Sequence, residues 1–190
     1  STRSASSAAS DVYKRQLLMI TIFNKKSAPI TVPLYCLAEG LVLGGISAYA
    51  NALYPGIANQ AIALTFGILA ALLFLYKSRL IAATENFKLG VFSATFGILI
   101  IYVLNLILSL FGVSFMGPLF GNGLTGILFS LFVIGIASLN LVLDFDFIEN
   151  GAEQGAPKYM EWYAAFGLMI TLIWLYIEIL NLLMKLRSRR

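Results

Sequence analysis

The chain has 190 residues, of which 59% are hydrophobic and only 12% are charged, whereas soluble globular domains carry about 25% charged residues. Because this number of charges is too small to cover the surface of a soluble domain, the composition predicts an integral membrane protein. The single cysteine, Cys36, excludes an internal disulfide and multi-cysteine metal sites, and the absence of histidine removes a common metal ligand. We therefore expect no metal site, no cofactor and no Ser-His-Asp catalysis.

The first sixteen residues differ from the rest of the chain. Residues 6–16 look like an in-frame translation of a sequencing-library adapter, and we expect residues 1–16 to be disordered and outside the fold. The alternative is a natural polar tail. On the adapter interpretation the natural N-terminus is missing. Three of the thirteen basic residues lie here, so the net charge of +4 gives no indication of nucleic-acid binding.

Residues 17–190 are predicted to form a single transmembrane domain. Residues 17–23 are apolar but too short to cross, and indicate the end of a spanning helix whose beginning is absent. Five longer apolar segments follow, each long enough to cross about 30 Å of hydrocarbon at about 1.5 Å per residue. The sequence thus predicts an all-α polytopic membrane bundle with one partial and five complete helices, the complete ones being segments A (30–50), B (57–76), C (89–111), D (124–147) and E (159–185).

The charges of the loops predict an orientation in the membrane. Two lysines precede segment A and three basic residues lie between B and C, whereas the A–B and C–D loops are uncharged. By the positive-inside rule the basic loops face the cytoplasm, and segment E then ends on the far side. That end is itself basic, so segment E either crosses against the rule or re-enters the membrane. We favour a crossing.

Function is expected at polar side chains inside the apolar segments, because each is costly there. At about 1.5 Å per residue, three of these side chains lie roughly 5–15 Å from the cytoplasmic boundary and three lie about 20–27 Å deep. The shallower layer contains Glu39, Asn140 and Asp144, and the deeper layer contains Asn105, Glu178 and Asn181.

Carboxyl groups in such layers are candidates for a proton-sensing gate. Loss of water disfavours the charged form, so an intramembrane carboxyl group can titrate near neutral pH without any histidine. The structural alternative is that the carboxyl groups only pair within the bundle, and that the asparagines only form interhelical hydrogen bonds.

Two acidic motifs lie in the last two segments: Leu141-Val142-Leu143-Asp144 in segment D, and residues 174–183, which contain Glu178 and Asn181, in segment E. The first resembles the element that closes the penultimate helix of the Bax inhibitor-1 family, and the second resembles the terminal helix of that family. The resemblance extends from residue 17 to the C-terminus. Three further stretches, at residues 39–41, 54–56 and 159–163, look like the bacterial branch. The resemblance implies a seven-helix fold in a bacterial inner membrane, of which one helix and most of a second are absent here.

What the resemblance implies about function is a calcium-permeable leak channel or transporter gated by pH. Asp144 and Glu178 would form a hydrogen-bonded pair whose protonation acts as the gate, with the remaining four polar residues supporting a pathway. The partners would be the lipid bilayer, calcium ions and protons. The resemblance also implies an alternative, a non-conducting regulator that binds a membrane-anchored protease in a stress response. We expect no enzyme, because the chain lacks both histidine and a Gly-x-Gly-Asp element for intramembrane proteolysis.

The proposed pair departs from the family pattern. Glu replaces Asp at position 178, Asp-Phe-Asp-Phe replaces the usual Asp-Thr-Gln element, and the stretch between the two acids is longer. The depths separate Asp144 from Glu178 by roughly 10–20 Å, which side chains cannot bridge unless segment E begins below the membrane or kinks near Gly167. On depth alone, Glu39 is a rival partner for Asp144.

Overall fold

The computed structural model describes residues 2–114 and 117–189, and within these residues the secondary structure is helical. The helices are α1 (Thr2–Phe23), α2 (Ala28–Leu53), α3 (Ile57–Lys77), α4 (Glu85–Leu110), α5 (Gly117–Phe120), α6 (Leu124–Glu153) and α7 (Tyr159–Ser188), with a 3-10 turn, Lys25–Ser27, before α2. Five of these helices, α2, α3, α4, α6 and α7, are long and apolar enough to cross a membrane. This confirms the predicted all-α membrane bundle.

The N-terminal helix differs from the sequence expectation. α1 is one continuous helix, whereas disorder is expected for residues 1–16 and a partial helix for residues 17–23. It packs against α2, and the Thr21 hydroxyl donates a hydrogen bond of 2.6 Å to the Thr31 hydroxyl. Alanine, lysine, arginine and glutamine in this stretch favour helix, and packing against α2 stabilises a helix that is too polar to be recognised from hydropathy.

The spanning helices begin and end close to the predicted segments but are mostly longer. Segment C is predicted from residue 89, yet α4 begins at Glu85, because Thr84 caps it by accepting a 3.2 Å hydrogen bond from the Phe87 amide. α6 continues to Glu153, beyond the predicted end at residue 147. These extra turns are polar, so apolar patterning alone does not include them in the helix.

α7 lies at the centre of the bundle, packed against α2, α3 and α6. It runs antiparallel to α6, because Lys185 contacts Ser130 near the start of α6 while Gly167 lies beside Asp144 near its end. α7 therefore crosses the whole bundle and does not re-enter. Its basic end meets the turn between α2 and α3, where Arg187 donates a 3.4 Å hydrogen bond to the Pro55 carbonyl.

α2 runs parallel to α7, which fixes the levels of their residues relative to each other. The rings of Tyr35 and Phe166 pack edge to face with centroids 5.2 Å apart, and Ser47 Oγ lies 2.6 Å from Tyr176 Oη. Both pairs are separated by about 130 positions along the chain. A residue of α2 therefore lies level with the residue of α7 about 130 positions later.

The apolar core is formed mainly by α6 and α7, with contributions from α2 and α3. Its fully buried members include Ala61, Ala137, Leu141 and Leu175. α4 is peripheral by comparison: it packs on α6, and only Val91 and Ile98 among its residues are buried.

Candidate functional site

Asp144 is a carboxyl group held inside the bundle with incomplete hydrogen bonding. It lies on α6 facing α7, so close to Gly167 that a Cβ atom there would be 3.9 Å from Asp144 Oδ1. Its other oxygen, Oδ2, is buried and has no hydrogen-bond partner among the residues that the structure describes. The neighbouring Thr171 hydroxyl donates to the Gly167 carbonyl at 3.1 Å. The packing leaves this carboxyl group without a donor for one of its oxygens.

Glu178 occupies a different environment in the middle of α7. Glu178 is 8% exposed, and its Oε1 accepts a 2.7 Å hydrogen bond from the Tyr102 hydroxyl of α4. The Tyr102 ring is held by Phe120 and Phe129, whose ring centroids lie 5.5 and 6.4 Å away. This aromatic cluster fixes the phenol that partners the carboxyl group.

Glu178 lies in the wall of a cavity of about 480 Å³ at one end of the bundle. The cavity extends from the helix ends towards the middle of the span. Asn181 is exposed and lines it, and Lys185 lies in its wall one turn further towards the end of α7. The other lining residues are Tyr49, Leu53, Tyr54, Tyr102, Phe120, Asn122, Phe129, Ser130, Met184 and Ser188.

Asp144 and Glu178 belong to separate sites. Asp144 faces Gly167 and Thr171 on α7, and Glu178 lies seven residues beyond Thr171, about 10 Å along the helix axis. The buried side chains of Leu141 and Leu175 lie between the two levels. The two carboxyl groups share no hydrogen bond within residues 2–114 and 117–189, so the pairing implied by the resemblance is not formed in this structure.

Glu39 is level with Asp144 but turned towards another helix. Cys36 Sγ lies 2.9 Å from Met169 Sδ, which puts Glu39 level with the Gly167–Thr171 turn that faces Asp144. Glu39 is 3% exposed and lies on the side of α2 that faces α1, where Lys14 Nζ is 2.9 Å from Oε2. The rival pair of Glu39 with Asp144 is therefore not formed in this structure either.

The two asparagines predicted in segments C and D differ in their contacts. Asn140 Nδ2 donates to Thr95 Oγ1 of α4 at 2.8 Å and to the Ile136 carbonyl of its own helix at 2.9 Å. The Asn105 side chain is half-buried and makes no hydrogen bond within the part of the chain that the structure describes. Asn140 thus joins α4 to α6.

Removing the Asn140–Thr95 hydrogen bond is expected to weaken the bundle modestly. Interhelical hydrogen bonds in membranes contribute about 0.6 kcal/mol on average and at most about 1.7. A double-mutant cycle of Asn140→Ala with Thr95→Val, followed by unfolding in mixed micelles, should give a coupling energy in that range. Asn105→Ala is the matched control and should change stability by less than about 0.5 kcal/mol. A coupling energy near zero would contradict the contact.

A third polar region lies at the opposite end of the bundle. Lys88 Nζ at the start of α4 is 2.8 Å from Asp146 Oδ2, and Asn150 donates a 3.1 Å hydrogen bond to the same oxygen. These groups adjoin a cavity of about 780 Å³ whose wall includes Phe145 and Leu168. Phe145 and Leu168 directly follow Asp144 and Gly167 in the chain, so the cavity extends from this end of the bundle to about the level of Asp144, which does not line it.

Three side chains in the wall of the Glu178 cavity, those of Tyr102, Lys185 and Ser130, were not predicted as site residues. Tyr102 lies three residues before Asn105, on the same face of α4, so helical spacing offered a signal. Lys185 follows Glu178 by seven residues on one face of α7 but reads as part of a basic tail. Ser130 is an ordinary small residue in an apolar segment and carries no signal of its own.

Comparison with known proteins decides the family. A family model described as Bax inhibitor 1 like matches residues 10–188. The chain belongs to the Bax inhibitor 1 like family. This confirms the resemblance read from the sequence, and with five apolar helices it identifies a multi-pass membrane protein. No curated protein and no solved structure matches the chain. The Bax inhibitor 1 like match includes residues 10–16, which the adapter interpretation sets apart.

Proposed function

We propose that this Bax inhibitor 1 like protein is a pH-sensitive cation leak channel of a bacterial inner membrane, that calcium ions and protons are its partners, and that protonation of Asp144 is its gate. The observation that supports this most is the buried Asp144 oxygen without a hydrogen-bond donor. An ionised carboxylate in an apolar interior needs donors or water. The packed arrangement therefore suits the neutral acid, and ionisation favours an arrangement that admits water.

The arrangement of the cavities supports a pore that is closed in this structure. One cavity reaches Glu178 from one end of the bundle, and the other extends from the opposite end to about the level of Asp144. The apolar core around Leu141 and Leu175 separates them. In our proposal, hydration of ionised Asp144 loosens this core, and Glu178 attracts the cation that enters through the cavity that Glu178 itself lines. Flux then rises from acidic to neutral pH.

The supporting residues take different parts in this proposal. Asn181 lines the cavity that contains Glu178 and offers an amide oxygen to an incoming cation. Asn140 holds α4 against α6, and Asn105 lies on the same helix as Tyr102, the partner of Glu178. Glu39 lies level with Asp144 and makes its contact to α1, so it is not part of the gate itself.

Calcium flux into liposomes that contain the protein, measured from about pH 5 to 8, tests the proposal. We expect a pH-dependent leak, and we expect Glu178→Gln to reduce it by about tenfold or more at every pH, because a carboxylate attracts a nearby divalent cation by more than 1.4 kcal/mol in a partly buried site. The pH dependence should remain, because Asp144 is intact.

Glu161→Gln is the matched control on the same helix, since Glu161 is exposed in the first turn of α7. It should conduct like the unmodified protein. If Glu178→Gln conducted normally while the unmodified protein leaked calcium, Glu178 would have no part in the pathway.

A second candidate function is a non-conducting regulator that binds a membrane-anchored protease in a stress response. The observation that favours it is the outer face of α4, where large apolar side chains such as Phe92 (71% exposed) and Leu106 (62% exposed) have no helix packed over them in the described residues. A membrane partner helix would fit there. Absence of calcium flux at every pH would favour this candidate over the channel.

A further inference from the structure

Lys185 carries a positive charge into the span and forms no salt bridge within the part of the chain that the structure describes. Its Nζ donates a 2.7 Å hydrogen bond to Ser130 Oγ and a 3.4 Å hydrogen bond to the Gly126 carbonyl. No carboxylate lies within 4.0 Å of it among residues 2–114 and 117–189. Neutral acceptors orient the ammonium but do not cancel its charge, so the ammonium acts electrostatically on Glu178 in the same cavity wall.

The position of that ammonium is fixed by the packing around it. Gly126 lies in the first turn of α6, where a Cβ atom would collide with the Gly121 carbonyl. The turn between α5 and α6 is therefore tightly packed, and it presents the Gly126 carbonyl to α7. Ser130, one turn further along α6, is 2% exposed. Lys185 is held by two groups that have little freedom to move.

Lys185 stands between the mouth of the cavity and Glu178. The residues that line the cavity on α7 are, in order from its end, Ser188, Lys185, Met184, Asn181 and Glu178. Side chains on a helix lean towards its N-terminus, so the ammonium leans inward, towards Glu178. A cation that enters from this end of the bundle passes Lys185 before it reaches the carboxylate.

We infer that Lys185 is a specificity-determining residue that hinders divalent cations more than monovalent cations on their way to Glu178. The inference rests on the proposed cation pathway. Coulomb energy scales with the product of the charges, so the free-energy penalty on a divalent ion is twice that on a monovalent ion. The fold-change in affinity for a divalent ion is therefore the square of the fold-change for a monovalent ion. Lys185 therefore keeps the calcium leak slow and sets its ratio to monovalent leak.

Calcium binding to the full chain in lipid nanodiscs tests this without any transport step. Radioactive ⁴⁵Ca²⁺ is measured at equilibrium, and competition by K⁺ gives the monovalent affinity in the same sample. Lys185→Gln should bind calcium at least about tenfold more tightly, with a smaller gain for K⁺. Lys185→Arg keeps the charge and should bind calcium like the unmodified protein.

Arg187→Gln is the matched control. Arg187 is also basic and lies two residues further along α7, but it contacts the Pro55 carbonyl and Gln60 at the α2–α3 turn rather than the cavity wall. It should leave the ratio of calcium to K⁺ affinity unchanged. Equal gains in Lys185→Gln and Arg187→Gln would mean that general surface charge acts, and would overturn the inference.

Flux measured in liposomes separates this inference from the channel proposal. A raised ratio of calcium to K⁺ flux in Lys185→Gln supports both. Tighter calcium binding in Lys185→Gln without flux in any variant supports the charge barrier and contradicts the channel. Normal flux in the unmodified protein with unchanged calcium binding in Lys185→Gln overturns the barrier and leaves the channel standing.

Discussion

Replacing Asp144 with asparagine is expected to remove the pH dependence of cation flux and to hold the flux at its acidic level. Asparagine imitates the neutral acid, which the packed arrangement accommodates next to Gly167. In the unmodified protein, ionised Asp144 needs to be only about 1.4 kcal/mol more stable in the hydrated arrangement than in the packed one to raise the flux tenfold between about pH 5 and 8. The neutral acid stabilises the packed, closed arrangement, and this stabilisation is lost as the pH rises and Asp144 ionises. The flux is therefore expected to rise with pH.

The measurement is calcium flux into liposomes across that pH range, with Asp146→Asn as the control. Asp146 lies two residues away but is paired with Lys88 at the bundle end, so its variant should keep the pH response. Because Asp144 and Glu178 are separate sites, the effects of Asp144→Asn and Glu178→Gln on the logarithm of flux should add. A flux that still rises with pH in Asp144→Asn would contradict the proposed gate.

Leu141→Ala is expected to destabilise the bundle more than any of the other substitutions named above. Leu141 is fully buried between α6 and α7, at a level between the two carboxyl sites. Leu→Ala removes about 70–80 Å³ of side chain, and a cavity term of about 24 cal/mol per Å³ gives a loss of about 2 kcal/mol. In a bilayer this cost is lost packing, because lipid itself is apolar.

Reversible unfolding by SDS in mixed micelles measures the loss. Leu128→Ala makes the same chemical change on the same helix at a position that is 56% exposed, and should alter the free energy of unfolding by less than about 0.5 kcal/mol. Equal losses for the two variants would mean that α6 does not pack in the orientation described.

If core packing also keeps the pore closed, Leu141→Ala should leak more at acidic pH.

The spanning helices were predictable because each has to be long and apolar to cross a bilayer, and their segments match α2, α3, α4, α6 and α7 closely. α1 was not predictable in that way, because its polar residues carry no hydropathy signal. Depth along a straight helix also anticipated the distance between Asp144 and Glu178, since 1.5 Å per residue holds wherever the helix is regular. The resemblance to the family motifs implied that Asp144 and Glu178 form a direct pair, but the two residues lie at different levels along the helices.

The partners of each polar residue were not predictable, because they depend on the rotation of one helix against another. Sequence alone fixes which residues share a face but not which face meets which helix. Tyr102 and Ser130 became relevant only through the packing of α4 and α6 around Glu178 and Lys185. Glu39 shows the reverse case: it has the right depth to meet Asp144, but its face of α2 is turned to α1.

The peripheral position of α4 has a consequence for local opening. α4 buries only two of its residues and is joined to its neighbours by few polar contacts, mainly the Lys88 ion pair, the Thr95 hydroxyl and the Tyr102 hydroxyl. Partial separation of α4 therefore has a lower free-energy cost than separation of α7, which would expose core on three sides. It would also remove the phenol partner of Glu178, so the spanning helix with the fewest buried residues is the one that covers the proposed cation site.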